Sequence, residues 1–274
     1  MAKKNQSKRL TDQHKKSLGV IGIFGENAKI HDLTVGEVSV LVMKQLQEEN
    51  PHLTFRYRKI IRKEEINKIL QKIDDELGQT LFVPNSNIKP DGGVIEVKDC
   101  NNKWRVVLAP EAKSQGKDID NVKQGNQVGK KANQDLMVAG NAIERSHKNI
   151  CELRNFMILE SYFPYVIFLD GSNFLTETIS IERPDGRIVT LSHDSGSLNR
   201  LDRLTAANYG LPINTNLCIN KIIKRGDSTT LNLQTASIYT KGNGEKWSGG
   251  EMFSIMVEIS KTSLRMLIND LNNN

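Results

Sequence analysis

WRVVLAPEAKSQGKD, residues 104–118, begins as an apolar strand and ends in charge. Side chains of an extended strand alternate between faces, so Arg105, Val107, Ala109, Glu111 and Lys113 share one face. A carboxylate and an amine then close a buried-looking strand side by side. Alone, this pattern describes a strand running out into solvent with a surface ion pair, an interaction worth little. The residues upstream add a second carboxylate. VIEVKDCNNKWRVVLA (94–109) reads as a β-hairpin turning over Asp99–Lys103. If Lys98 pairs with Trp104, antiparallel partners have numbers of constant sum, and Glu111 faces Asp91 of the KPDGG segment. Opposed residues hold their Cβ atoms about 4.5–5.5 Å apart. Strand geometry thus gathers Asp91, Glu111 and Lys113 in one neighbourhood.

Two carboxylates that close repel and raise each other's pKa. A divalent cation removes the conflict, and hard oxygen ligands from one or two carboxylates suit Mg²⁺, which keeps several waters. Lys113, two residues on, is placed to orient or deprotonate an attacking water. Asp followed by Glu-x-Lys on the next strand is the minimal set for metal-assisted phosphodiester hydrolysis. The alternative is a surface cluster of two strand-end acids and a lysine.

The rest of the chain bounds the setting. Its 274 residues suit one large domain or two small ones, and a net charge of +6 leans towards polyanionic partners. Three widely spaced cysteines without a CxxC or Cys/His cluster argue against zinc and a disulfide framework, and fit a reducing compartment. The basic start MAKKNQSKRLTDQHKK has no apolar stretch behind it and is not a secretory signal. No apolar run approaches the length that spans a membrane. Residues 1–17 read as a basic N-terminal arm and 18–274 as a single α/β domain, because strands and helices interleave throughout. GVIGIFG (19–25) lacks the spacing of a phosphate-binding loop and reads as a turn or packing segment. Helices are expected over 34–49 (capped by Thr34), 62–78 (ending at Gly78), 142–161 and 197–210. YVIFLDG (165–171) reads as a buried central strand, TASIYT (235–240) and EMFSIMVEIS (251–260) as late strands, and TSLRMLINDL (262–271) as a closing helix.

Asp91 followed by Glu111-x-Lys113 across a hairpin resembles the PD-(D/E)xK nuclease superfamily. That motif is short, but longer blocks are more specific: FRYR (55–58), NIKPDGG (87–93), QGKDI (115–119), QDLM (134–137), AGNAIERSHKNI (139–150), GSNFLTE (171–177), RPDGR (183–187), LNRLDRLTAANYG (198–210), NLCINK (216–221) and TSLR (262–265). In this order they resemble the EcoRI family of type II restriction endonucleases over nearly the whole chain. The resemblance implies a mixed central sheet flanked by helices. It implies a homodimer in the bacterial cytoplasm that binds double-stranded DNA, reads GAATTC and cuts after G, leaving 5′-phosphates and 5′ overhangs, within a restriction–modification system. By the family's pattern Asp91, Glu111 and the carbonyl of Ala112 hold Mg²⁺, and Lys113 serves the attacking water.

The family's recognition element matches MVAGNAIER: Met137, Val138, Ala139, Gly140, Asn141 and Ala142 along the major groove, then a helix start carrying Glu144 and Arg145. The chemistry agrees, since an Asn amide pairs with adenine N6 and N7 and small residues admit backbone to base edges. Arg200 and Arg203, three apart on a helix, belong by resemblance to the recognition and dimer-coupling region. Lys89, Lys117, Lys130, Lys148 and Asn149 are candidate phosphate contacts, which position without specifying. Three residues depart from the family: Pro110 for Ala, Ser114 for His and Val138 for Ala. Pro110 either bends the strand or removes an amide that was already unpaired. Two other readings remain at this point: a nuclease of the same superfamily acting in repair, and a DNA-binding protein whose hydrolysis has decayed.

Overall fold

The computed structural model describes residues 26–79, 86–116, 118–126, 141–191, 197–227 and 229–272, with the backbone alone for 26–33, 141–145, 197–200 and 225. The arm (1–17) and GVIGIFG lie outside the described residues. In chain order come α1 (Glu26–Glu49), β1 (Phe55–Arg58), β2 (Ile61–Arg62), α2 (Lys63–Gln71), β3 (Asn87–Ile88), β4 (Val94–Lys98), β5 (Trp104–Ser114), α3 (Asp118–Lys123) and α4 (Asn141–Phe156). They are followed by β6 (Tyr165–Asp170), β7 (Ile179–Glu182), β8 (Ile188–Leu191), α5 (Ser197–Ala207), β9 (Asn220–Arg225), β10 (Thr229–Gln234), β11 (Ser237–Thr240), α6 (Gly249–Met266) and α7 (Ile268–Leu271).

The central sheet has the order β1-β4-β5-β6-β11. Its first three strands are antiparallel and its last three parallel, so β5 joins the two halves. Val106 to Ala112 of β5 are all buried, as are all six residues of β6. Strands covered on both faces carry continuous apolar runs rather than alternation, which is what YVIFLD shows. Helix α1 turns Val35, Val38, Val42 and Leu46 into the core at helical spacing. It packs on α6 and, with it, on β5. Helix α4 adds Ile150 and Leu153 to the same core. Among the described residues no helix is long and apolar enough to cross a membrane.

Three expectations need correction. EMFSIMVEIS is not a strand but the first half of α6. Its start is fixed by a capping box, in which the Glu251 amide donates to Ser248 Oγ at 3.3 Å and the Ser248 amide to the Glu251 carboxylate at 2.9 Å. The buried positions Met252, Met256, Ile259 and Ser263 follow a helical period that the β-branched residues between them obscure. Its buried hydroxyls are satisfied within the helix, Ser260 donating to the Met256 carbonyl at 2.8 Å. Thr34 is not a cap, because α1 already begins at Glu26. Helix α2 stops at Gln71, and turns carry the chain to Gly78.

The hairpin turns where expected, with Lys98 opposite Trp104, Val97 opposite Arg105 and Glu96 opposite Val106. The Asp99 carboxylate closes the turn by accepting from the amides of Asn101 (3.0 Å) and Lys103 (2.8 Å). Then the register shifts: Ile95 faces Leu108, and Val107 is the extra residue of a β-bulge. Beside it lies a buried charge cluster. Glu96, 2% exposed, accepts from Arg56 at 2.6 Å and from Arg58 at 3.1 Å, and Arg58 also reaches Glu65 of α2 at 2.7 Å. Removing one partner of a buried pair strands the other charge. Glu96→Ala is therefore expected to lower stability by about 3 kcal/mol in urea unfolding. A loss below about 1 kcal/mol, the level of an exposed pair, would show that the arginines resolvate freely.

Candidate active site

Continued past the bulge, the count alone would set Asp91 opposite Ala112. The loop returns to the expected count, because Gly92 and Pro110, joined through their backbones, sum to the same number as Lys98 and Trp104, which sets Asp91 opposite Glu111. The Ala112 amide donates to Asp91 Oδ2 at 3.3 Å, the Asp91 amide donates to Glu111 Oε2 at 3.1 Å, and the Gly92 amide donates to the Pro110 carbonyl at 3.0 Å. Asp91 and Gly92 are thus tied to three consecutive residues of β5.

Pro110 leaves this intact. Pairing of β5 with β6 runs unbroken from Ala109–Tyr165 to Ser114–Asp170. The N and C=O of one strand residue point the same way. Since the Pro110 carbonyl meets Gly92, its missing N–H lay on that side too, beyond the start of β4 at Val94. Of the two outcomes open for Pro110, the second holds: the strand continues, and no ladder bond to β6 is lost.

Lys113 Nζ sits between the acids. It donates to Asp91 Oδ2, to Glu111 Oε1 at 2.5 Å and to the Ala112 carbonyl at 3.0 Å. Glu111 is fully buried, while the Asp91 and Lys113 side chains are 19% and 17% exposed. Burial pushes the Glu111 pKa up to about 7, and the Asp91 charge adds to the rise against the opposing pull of Lys113. Burial disfavours the Lys113 ammonium, but the charges of Glu111 and Asp91 outweigh it, and its pKa is raised. Among the described residues no group of three or more His, Cys, Asp and Glu side chains forms. The candidate centre is two carboxylates and one carbonyl. These are hard oxygen donors that already converge on one cationic atom, the set that suits an ion keeping most of its waters.

The other predicted residues divide by position. Asn141, Ala142, Glu144 and Arg145 fall in the first turn of α4, described by backbone alone. Met137, Val138, Ala139, Gly140, Lys117 and Lys130 lie outside the described residues. Arg200 and Arg203 are on α5, Arg203 exposed. Helices α4 and α5 pack together, with Arg154 donating to Asn208 at 3.2 Å and stacking on Tyr209. Lys89 is exposed two residues before Asp91, and Lys148 is exposed on α4, 3.9 Å from Glu152. Asn149 is tied more closely to the acids than its expected phosphate role implied: its Nδ2 donates to Glu111 Oε1 at 2.7 Å. No spacing or composition signal marks that contact, because it joins residues 38 positions apart.

Gly92 leaves no room for a side chain. A Cβ there would lie 2.5 Å from Pro110 Cγ and 2.9 Å from Ser39 Oγ. Gly92→Ala is expected to push Asp91 off β5 and lower metal-dependent hydrolysis at least about tenfold, the cost of a misplacement near 1 Å or less. Gly92→Ala with Pro110→Ala should recover part of the loss, since the ring carbon makes the tightest contact. Cleavage rates of the single and double variants, with matched circular dichroism, check this. Equal rates in the two variants would show that the ring is not the obstacle.

Comparison with known proteins follows the same residues. The model of the family described as restriction endonuclease EcoRI matches residues 17–274. The type II restriction enzyme EcoRI of Escherichia coli is 65% identical over 271 residues, covering 99% of this chain and 98% of that one. The type II restriction enzyme RsrI of Cereibacter sphaeroides is 46% identical over 271 residues, covering 99% and 97%. With a mixed sheet that brings Asp91, Glu111 and Lys113 onto one cationic point, and with both relatives matching along almost their whole lengths, this chain belongs to the EcoRI family of restriction endonucleases.

Proposed function

We propose that the protein is a Mg²⁺-dependent type II restriction endonuclease that binds double-stranded DNA as a homodimer, reads GAATTC and cleaves each strand after G. The observation that carries this reading is the position of Lys113 Nζ. The ammonium bonds the Asp91 carboxylate, the Glu111 carboxylate and the Ala112 carbonyl together. Those three oxygen groups would hold Mg²⁺, which when bound supplies charge stabilisation at the phosphate and the leaving oxygen. The chain's own residues do the rest. The Asp91 amide and Asn149 keep Glu111 turned towards the centre. Lys113, relieved of the acids, holds the attacking water in line with the scissile bond. Asn141, Glu144 and Arg145, in the first turn of α4, would read the base edges. Lys89 and Lys148, both exposed, are placed for phosphates.

The homodimer reading has support in an unpaired apolar surface. Strands β9 and β10 form a two-stranded hairpin on one face of which the partners Ile223 and Leu231 are 36% and 41% exposed, while Ile222 is exposed on the other. Such an exposed apolar face fits a second copy, and a palindromic site read by one domain requires one.

Digestion of a plasmid with one mapped GAATTC site, with and without Mg²⁺, tests the whole reading. Linear product with a four-base 5′ overhang is expected only with the ion, and binding without cleavage would favour a decayed enzyme. Lys113→Ala should leave cognate binding largely intact while cleavage falls by orders of magnitude, read by gel shift and cleavage on one preparation. A parallel fall would make Lys113 structural. Asn141→Ala should weaken GAATTC binding by roughly 2–6 kcal/mol, from about 1–3 kcal/mol in each half-site. It should leave a scrambled duplex, bound through phosphates, nearly unaffected. Equal loss on both duplexes, or sedimentation of the free protein as a monomer that still cuts both strands at once, would overturn the assignment.

A further inference from the structure

We infer that α4 carries a second metal site, for a soft or borderline divalent ion such as Zn²⁺, Cd²⁺ or Co²⁺, formed by His147 and Cys151. The two residues are four apart on the helix and share one face. His147 is exposed and Cys151 half-buried, with His147 Nε2 3.7 Å from Cys151 Sγ. A tetrahedral ion with bonds of about 2.0 Å to nitrogen and 2.3 Å to sulfur spans its two ligands at about 3.5 Å. The pair is therefore set at the bite distance, and both atoms belong to one rigid helical turn that needs little ordering to bind. Thiolate and imidazole select against Mg²⁺, which prefers oxygen, so this site and the carboxylate centre draw on different ions. The remaining positions on the ion are left to water, since no third such ligand clusters here among the described residues.

The other two cysteines differ. Cys218 is buried, and burial pushes its thiol up to about 12, away from the thiolate that a metal requires. Cys100 is exposed in the hairpin turn and serves as the control. The turn bracketed by His147 and Cys151 also carries Lys148 and Asn149, and Asn149 reaches Glu111. A bound ion would brace that turn from its outer side.

Titration of the full-length protein with Co²⁺ in saturating Mg²⁺, followed by thiolate-to-cobalt charge-transfer absorption, tests the site without using nuclease activity. The band should appear in the wild type, disappear when Zn²⁺ is added, persist in Cys100→Ser and be absent in Cys151→Ser. His147→Ala should weaken Co²⁺ binding about 100-fold, the gain typical of a tethered second ligand. Zn²⁺ should raise the melting temperature of the wild type and leave that of Cys151→Ser unchanged. No band in the wild type, a band retained in Cys151→Ser, or equal Co²⁺ affinity in His147→Ala would each overturn the proposal.

Discussion

The geometry of the site depends on one ammonium group among three oxygen groups. A fully buried Glu111 beside Asp91 is a costly arrangement, because desolvation and like charge both act against ionisation. Lys113 opposes both effects in part. It neutralises the acids and keeps their oxygens turned towards one point in the free protein. Under the proposed function, the ammonium stands where the metal would sit among these oxygens. Preorganisation of this kind reduces reorganisation when the ion and the DNA arrive.

That constraint reaches outward along two elements. Strand β5 meets antiparallel neighbours on one side and parallel ones on the other, so its end is held by β6 while the other side is left for the KPDGG loop. Helix α4 begins at Asn141 and meets Glu111 through Asn149 two turns later. It is fastened near its far end, where Arg58 lies against the Phe156 ring and Lys63 bonds Glu152 at 3.1 Å. Candidate base-reading residues on α4 are therefore linked through one stiff rod to the candidate metal ligand Glu111 of β5. Any adjustment of α4 on DNA is transmitted to the Glu111 carboxylate through a single hydrogen bond.

Much of this was legible in the sequence, and the failures have physical reasons. The turn over Asp99–Lys103 and the pairing of Lys98 with Trp104 follow from local turn chemistry and alternation. The meeting of Asp91 with Glu111 follows too, although the bulge before it leaves no mark in a fully buried strand and the count is restored only where Gly92 meets Pro110. Val107 reads as one more apolar residue whether it is paired or extra. EMFSIMVEIS misled because Ile and Val between helical core positions imitate alternation, and only packing against α1 decides the case. The Asn149–Glu111 contact depends on where α4 docks, which no local pattern encodes. The base-reading residues were reached through resemblance, not through periodicity or spacing.

The contact between Pro110 and Gly92 has a consequence for how the chain can change over time. Proline at 110 costs no ladder bond to β6, so that substitution is open to a lineage whose Gly92 is already in place. Once the ring lies against Gly92, the space a methyl group would need at 92 is taken. Replacing the ring at 110 would widen that space without clearing it, because Ser39 Oγ and the Pro110 carbonyl oxygen border it as well, so the two positions are coupled through packing on both sides of the loop.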